Sequence, residues 1–235
     1  MSALVEVLAA GLFHAAVLFL VAAGLQLVFG VQRILNLACG SFYAIGAYLG
    51  VTAGGYALGA GLSPLLALPV LLLAGGSVAV LGPPIERMLR LVYDRDESFQ
   101  LLLTFALLLM LQDLVRMGWG SSPQQVDGVY LAYGQLQLGA ARIPVWNLLV
   151  LAAALAVAAG LGAFLQRTNF GRLLRATAEN RRMAASLGVD TGKVYAVVFT
   201  LGTALGGVGG GWSRPRARRR RRWRWSWWSR PSRWW

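Results

Sequence analysis

Apolar residues run almost without interruption over 8–30, 38–59, 64–82, 100–118, 143–165 and 194–211, and charged residues gather in the connections between these runs. A hydrocarbon core about 30 Å thick takes roughly 20 helical residues to cross, so the pattern predicts six membrane helices. The runs are continuous and rich in Leu and Ala, whereas strands of a membrane barrel would alternate over about ten residues. The predicted fold is therefore all-α, a polytopic helical bundle of about six spans forming one membrane domain over residues 1–211. The opening MSALVEVLAAGLF carries no Lys or Arg ahead of its apolar run and no small-residue cleavage site. It reads as the first membrane helix and not as a removed signal peptide.

The polar connections set an orientation. Arg33 follows the first run, Arg87, Arg90 and Arg95 the third, and Arg167, Arg172, Arg175, Arg181, Arg182 and Lys193 the fifth, while the alternate connections offer Arg142 alone. The excess of Lys and Arg on cytoplasmic loops puts the first group inside and the N-terminus outside. Within the runs, Gly46, Gly50 and Gly54 recur at every fourth residue, as do Gly202, Gly206 and Gly210. Such spacing lines one helix face with residues that let another backbone approach closely, a packing seam.

The most polar interruption is NFGRLLRATAENRRMAASLGVDTGK, residues 169–193. Asn169 can cap a helix. Leu173, Ala176 or Thr177, Asn180, Met183 or Ala184, and Leu187 then follow at helical spacing as a mildly apolar stripe, and Arg172, Arg175, Glu179 and Arg182 form a charged one. Glu179 is placed to pair with Arg175 or Arg182. Gly188 suits the position just past a helix end, and Asp190 or Thr191 the cap of the next span. A short amphipathic helix of this kind either lies along lipid headgroups or docks in a groove on a partner protein.

Composition narrows the chemistry. The chain is 57% hydrophobic and 13% charged, with one Cys and one His, too few soft ligands for a zinc or iron–sulfur site and too few cysteines for a disulfide framework. No metal site is expected. Cys39 carries no site, and His14 reads as a packed helix residue. The string GVDTGKV, residues 188–194, lacks one residue between its glycines and the final hydroxyl of a phosphate-binding GxxxxGK[ST] loop, so the chain has no ATPase site of its own. Asp94, Asp96 and Glu97 sit among Arg90 and Arg95 as a charge-balanced turn, and no set of residues supports an enzyme. The polar group inside a span is Gln112, Asp113 and Arg116, with Asp113 and Arg116 three apart on one face. It reads as an interfacial pair beside Trp119 or as part of a translocation path.

Four stretches in order, GLQLVFGVQRILNLACGSFYAIGAYLG, ERMLRLVYDRDESFQLLLTFALLLMLQDLVRMGWG, IPVWNLLV and NFGRLLRATAENRRMAASLGVDTGKVYAVVFTLGTALGG, resemble the LivH-type permease subunits of bacterial branched-chain amino acid ABC importers, across nearly all of residues 8–211. The resemblance implies a multi-pass protein of the bacterial inner membrane, without cofactor, since ATP is used by partner subunits. It implies two ATPase subunits, a companion permease, an external substrate-binding protein and surrounding membrane lipid as partners, and no nucleic acid. The loop 166–193 would be the cytoplasmic coupling segment, with MAASLG as a degenerate counterpart of the EAA pattern, one residue short. Arg175, Ala178, Glu179, Arg182, Ala184, Ala185 and Gly188 would form the surface seated in the ATPase. Permeases for urea, short amides or other amino acids share the resemblance. A stand-alone secondary transporter would show inverted repeats with broken helices. Where many relatives have NFAHG this chain has Asn36, Leu37, Ala38, Cys39 and Gly40.

The last stretch, WSRPRARRRRRWRWSWWSRPSRWW over 212–235, stands apart. It holds ten Arg and no acid, and so carries +10 of the formal charge of +13. Read as it stands it is an arm for phosphates or headgroups, and it is the whole basis for a membrane-anchored nucleic-acid or anionic-lipid binder. Relatives continue here into further membrane helices, and six spans would put so basic an arm outside, against the charge bias. Arg, Trp, Ser, Pro and one Ala are what a GC-rich gene gives out of frame, so a shifted reading frame near Gly211, with C-terminal helices missing, is the expectation.

Overall fold

The computed structural model describes residues 2–61, 63, 66–93, 95–120, 133–138 and 141–213; Asp94 and the tail from 214 onward, with the frame reading attached to it, lie outside the described residues. The elements are α1 (Ser2–Gln32), α2 (Cys39–Gly59), α3 (Ala67–Gly76), α4 (Gly82–Leu89), α5 (Glu97–Trp119), a hairpin of β1 (Gln135–Leu138) and β2 (Ala141–Pro144), then α6 (Val145–Arg167), α7 (Asn169–Glu179), α8 (Arg181–Ser186) and α9 (Thr191–Trp212). Five helical segments, Leu4–Gln32, Ala67–Val92, Glu97–Trp119, Val145–Arg167 and Thr191–Trp212, are long and apolar enough to cross a membrane. The remaining predicted span, 38–59, is α2. Its 21 residues match the others in length, but Gly, Tyr, Ser and Thr on its faces dilute its hydropathy.

The third span departs from the sequence reading. Instead of ending near residue 82, helical backbone continues to Val92, tightening into 3₁₀ turns at Ser77–Leu81 and Arg90–Val92. Pro83 and Pro84 do not stop it because they fall in the first turn of α4, where a backbone N–H has no helical partner to lose. Arg87 and Arg90, read from sequence as loop residues, are therefore helical. A second departure is the hairpin in the α5–α6 connection, where Leu136 pairs with Ile143 and Gln137 with Arg142, a small β element in a bundle expected to be purely helical.

Helix α9 is the centre of the bundle. Two thirds of its span (67%) is buried, against 11–22% in the other four, and α1, α2, α3 and α4 pack around it. Glycine makes this possible on several sides at once. A Cβ on Gly24 of α1 would lie 2.6 Å from Gly202 O, and one on Gly75 of α3 would lie 2.6 Å from Gly207 O. One on Gly46 of α2 would collide with Gly207 O, and one on Gly50 would lie 2.9 Å from Gly211 Cα. The α2 seam thus meets Gly207 and Gly211, one residue on from the stripe read in sequence. Of that stripe, Gly202 faces α1 while Gly206 and Gly210 face Phe42 and Tyr43 of α2; Gly54 is buried.

Two apolar clusters fill the space around α9. Near its start lie Leu27, Val28, Phe42, Leu89, Leu174, Val198 and Phe199. Near its end lie Phe13, Leu20, Leu71, Trp146, Val150 and Trp212. Trp212, placed with the tail by the boundary at 211, closes α9 and is fully buried. Facing outward are large apolar side chains such as Leu18, Leu73, Leu102, Met110 and Leu155, each 59–70% exposed, as a surface in contact with lipid tails requires.

Candidate functional site

The three Arg-bearing connections come together at one end of the bundle. Gln32, beside Arg33, donates from Nε2 to Tyr195 O at 3.1 Å, and Arg90 Nη2 donates to Gly192 O at 2.6 Å. The guanidinium of Arg181 lies 5.4 Å from the Tyr195 ring centre and 5.9 Å from that of Tyr93, with the two rings edge to face. At the opposite end, Trp119 Nε1 donates to Thr52 Oγ1 at 2.7 Å and the Tyr133 hydroxyl accepts from Leu68 N. The Arg33, Arg90 and Arg181 segments thus share a face, the one assigned to the cytoplasm by charge.

The polar stretch folds as two helices, because Asn180 breaks it with φ −147° and ψ 98°. Its Oδ1 accepts from Met183 N at 3.0 Å and so caps α8; a side-chain acceptor here replaces one missing helical partner. Capping of α7 falls to Thr168, whose Oγ1 accepts from Gly171 N at 3.0 Å, and not to Asn169, which instead accepts from Arg172. The α6–α7 corner is tight enough that a Cβ on Gly171 would run into Leu165 O. Across the same corner Arg175 Nη1 donates to Leu165 O at 2.9 Å, which turns it away from the expected pairing with Glu179.

The end of α8 is built for a sharp reversal. Gly188 has φ +86°, its N–H bonds to Ala185 O at 3.0 Å, and Val189 N–H bonds to Ala184 O at 3.1 Å, the paired arrangement that closes a helix through a left-handed glycine. Asp190 Oδ1 then accepts from Lys193 N at 3.1 Å to start α9. That backbone hydrogen bond, followed by the Lys193 ammonium, holds the Asp190 carboxyl below its usual range.

Of the residues singled out for coupling, Glu179, Arg182, Ala185 and Gly188 are exposed, joined by Met183 and Leu187 at 63% and 78% exposure, and Glu179 and Arg182 also border a polar pocket with Arg33 and Tyr195. Ala184 is only 4% exposed and turned inward, so it seats α8 on the bundle and lies beneath the outer surface. Ala178 is half-buried against the apolar cluster and Arg175 is engaged at the corner. The surface is therefore narrower than the sequence set, and it is more apolar at its tip.

Behind it sits a polar relay that the sequence reading passed over. Glu86 is fully buried, accepts from Arg90 Nε at 2.7 Å and from the Tyr93 hydroxyl at 3.1 Å, and Arg90 carries on to Gly192 at the start of α9. Burial, then the charge and the hydrogen bond of Glu86, push the Tyr93 hydroxyl well above its ordinary range, so it stays a donor. A lone acid four residues before an Arg in PPIERMLR was the available signal. Arg181 at the start of α8 touches both tyrosines, one on the α4 side and one on α9. Contacts thus run without a gap from α8 to the central helix.

Gln112, Asp113 and Arg116 lie elsewhere. All three are exposed on the outer half of α5, and Arg116 Nη1 to Asp113 Oδ1 is 3.2 Å with both side chains about two-thirds exposed. They line no interior of this chain; the buried face of α5 is Thr104, Leu107, Leu111 and Val115. Among the described residues no three His, Cys, Asp or Glu side chains gather as a metal site would need.

The family model of the permease component of branched-chain amino acid transport systems matches residues 7–215. The chain belongs to that permease family. It is 26% identical over 198 residues to the high-affinity branched-chain amino acid transport system permease protein BraD of Pseudomonas aeruginosa, covering 80% of this chain and 64% of the relative. It is 28% identical over 198 residues to the LivH permease protein of Salmonella typhimurium, covering 81% and 64%. A probable LivH protein of Methanocaldococcus jannaschii is 28% identical over 213 residues, covering 87% and 64%. The permease chain thus spans about 64% of the length of the curated relatives it matches. No solved structure matches it. As a member of the family it is a multi-pass membrane protein, in keeping with its outward apolar belt.

Proposed function

We propose that the chain is the membrane-embedded part of an ATP-driven importer of branched-chain or related hydrophobic amino acids in the cytoplasmic membrane. The family match over residues 7–215 carries this reading. The permease has no ATPase site or cofactor of its own and works with two ATPase subunits, a companion permease and an external binding protein. The ATPases grip Glu179, Arg182, Met183, Ala185 and Leu187 around the left-handed turn at Gly188. Closure of the ATPases moves α8; Arg181, Tyr195 and the Glu86–Arg90–Gly192 relay pass the displacement to α9, whose glycine faces let it shift against α1, α2 and α3. The ATPases drive transport only by binding one arrangement of the bundle better than the other.

The test is uptake into proteoliposomes holding the chain with its ATPases, companion permease and binding protein, over a panel of leucine, isoleucine, valine, urea and short amides. ATP-dependent accumulation of the branched-chain amino acids is expected. Accumulation of urea or amides alone would move the substrate to that neighbouring class, and accumulation driven by an ion gradient without ATP would overturn the reading.

A further inference from the structure

Two cavities on this chain meet at Val31 and Ala178. One is an apolar groove of about 590 Å³ between α1, α6 and α7, lined by residues such as Phe19, Ala23, Gly30, Leu161, Leu165 and Leu174. The other is a polar pocket of about 360 Å³ at the arginine-rich end, where Arg33, Arg181 and Arg182 stand with the single acid Glu179. Arg33 and Arg182 against Glu179 give the pocket an excess of positive charge. We propose that the joined cavities bind one anionic phospholipid of the cytoplasmic leaflet, its phosphate in the arginine pocket and an acyl chain along the groove.

Three observations carry this. The groove is lined by apolar side chains, most of them on membrane-length helices, with Gln26 the one polar side chain among its lining residues. The cationic pocket is continuous with that groove through Val31 and Ala178, and guanidinium groups match phosphate in geometry and charge. Arg33, which lines that pocket, adopts φ +55°, a left-handed conformation that non-glycine residues seldom hold. Arg181, at the edge of the pocket, stacks on Tyr93 and Tyr195. A lipid seated there bridges α1 to the α7–α8 break, so it would brace the segment that the ATPases move.

The experiment is native mass spectrometry of the purified 235-residue chain released from nanodiscs of mixed phosphatidylglycerol and phosphatidylcholine. One retained phosphatidylglycerol per chain is expected, with about a tenfold preference over phosphatidylcholine. The paired change Arg33→Asn with Arg182→Gln should abolish the preference; Asn tolerates the left-handed backbone at residue 33. Gly30→Leu should independently reduce retention severalfold by filling the groove, since a Cβ there meets nothing within 4 Å. Arg172→Gln, on an exposed arginine that lines neither cavity, should leave retention unchanged. Equal retention of the two lipids, displacement of lipid by millimolar inorganic phosphate, or a lipid-free dimer with the groove protected would each overturn the proposal, the last two in favour of a free anion or a second copy of the chain.

Discussion

The glycine stripe Gly202, Gly206 and Gly210 looks uniform in sequence, yet the structure divides it. A Cβ on Gly206 would sit 3.6 Å from Phe42 Cβ and 3.8 Å from Cys39 O, ordinary contact distances. On Gly210 it would collide with Tyr43 O and lie 2.8 Å from Ala47 N, and on Gly202 it would lie 2.9 Å from Gly24 O as well as against Val28. Alanine raises helix propensity equally at all three, by about 1 kcal/mol over glycine, so that term cancels between them. What remains is the cost of forcing α9 from α2 or α1. The obstructing atoms are backbone, which cannot rotate aside, and overpacking of this kind costs about 1–3 kcal/mol. Gly206→Ala should therefore match or exceed the parent in stability, while Gly210→Ala and Gly202→Ala should fall below Gly206→Ala by about 1–3 kcal/mol. At about 2–4 °C per kcal/mol for a chain of this size, heating the detergent-solubilised variants and following the monodisperse fraction by size-exclusion chromatography resolves the difference. Equal midpoints for Gly206→Ala and Gly210→Ala would refute the seam geometry.

Reversing charge with Glu179→Arg, or placing leucine at the left-handed Gly188, should leave the chain in the membrane but abolish co-purification with the ATPases and ATP-driven uptake; normal uptake with both changes would remove the coupling role. After Cys39 is replaced, a cysteine at Ala178 should resist an impermeant thiol reagent applied outside intact cells and one at Gly134 should react; the reverse pattern would invert the orientation. The Asp190 cap is depressed in pKa by the Lys193 N–H, so its stabilising effect is complete above the ordinary carboxylate pKa of 3.8 and disappears as pH falls through the lower folded value. Asp190→Ala should thus be less stable than the parent at pH 7, and the gap should close at strongly acid pH; a pH-independent gap would mean that the carboxylate charge plays no part.

Much of this protein was legible from residue order. Apolar run length located the membrane helices, though not the continuation of the third to Val92, because a bilayer core sets a common span length and leaves backbone groups no partner but their own helix. The distribution of Arg33, Arg90 and Arg181 among the connections told which ends share a face, and four ordered motifs told the family. Local chemistry also read correctly at Gly188 and Asp190, where a left-handed turn and a cap depend on the residues immediately around them.

Contacts between distant parts of the chain could not be read in this way. Nothing in the Gly46, Gly50 and Gly54 spacing says that they meet Gly207 and Gly211 and not the Gly202 stripe, since register between helices follows from how three helices share the surface of α9. Asn180 gave no sign that it would end one helix through its backbone and cap the next through its side chain, since in sequence it is one position of a continuous helical stripe. Ala184 and Ala185 are identical in sequence terms, yet one is buried and the other exposed. Glu86 was passed over because, although Arg90 and Tyr93 lie close by in sequence, its burial depends on α9, which packs on α4 and offers the Gly192 carbonyl to Arg90. In a membrane bundle the solvent fixes where helices begin and end, but the apolar stripe of one helix matches lipid as well as it matches another helix. Close packing of small residues and the pairing of buried polar groups are what single out one arrangement, and both exist only once the chain has folded.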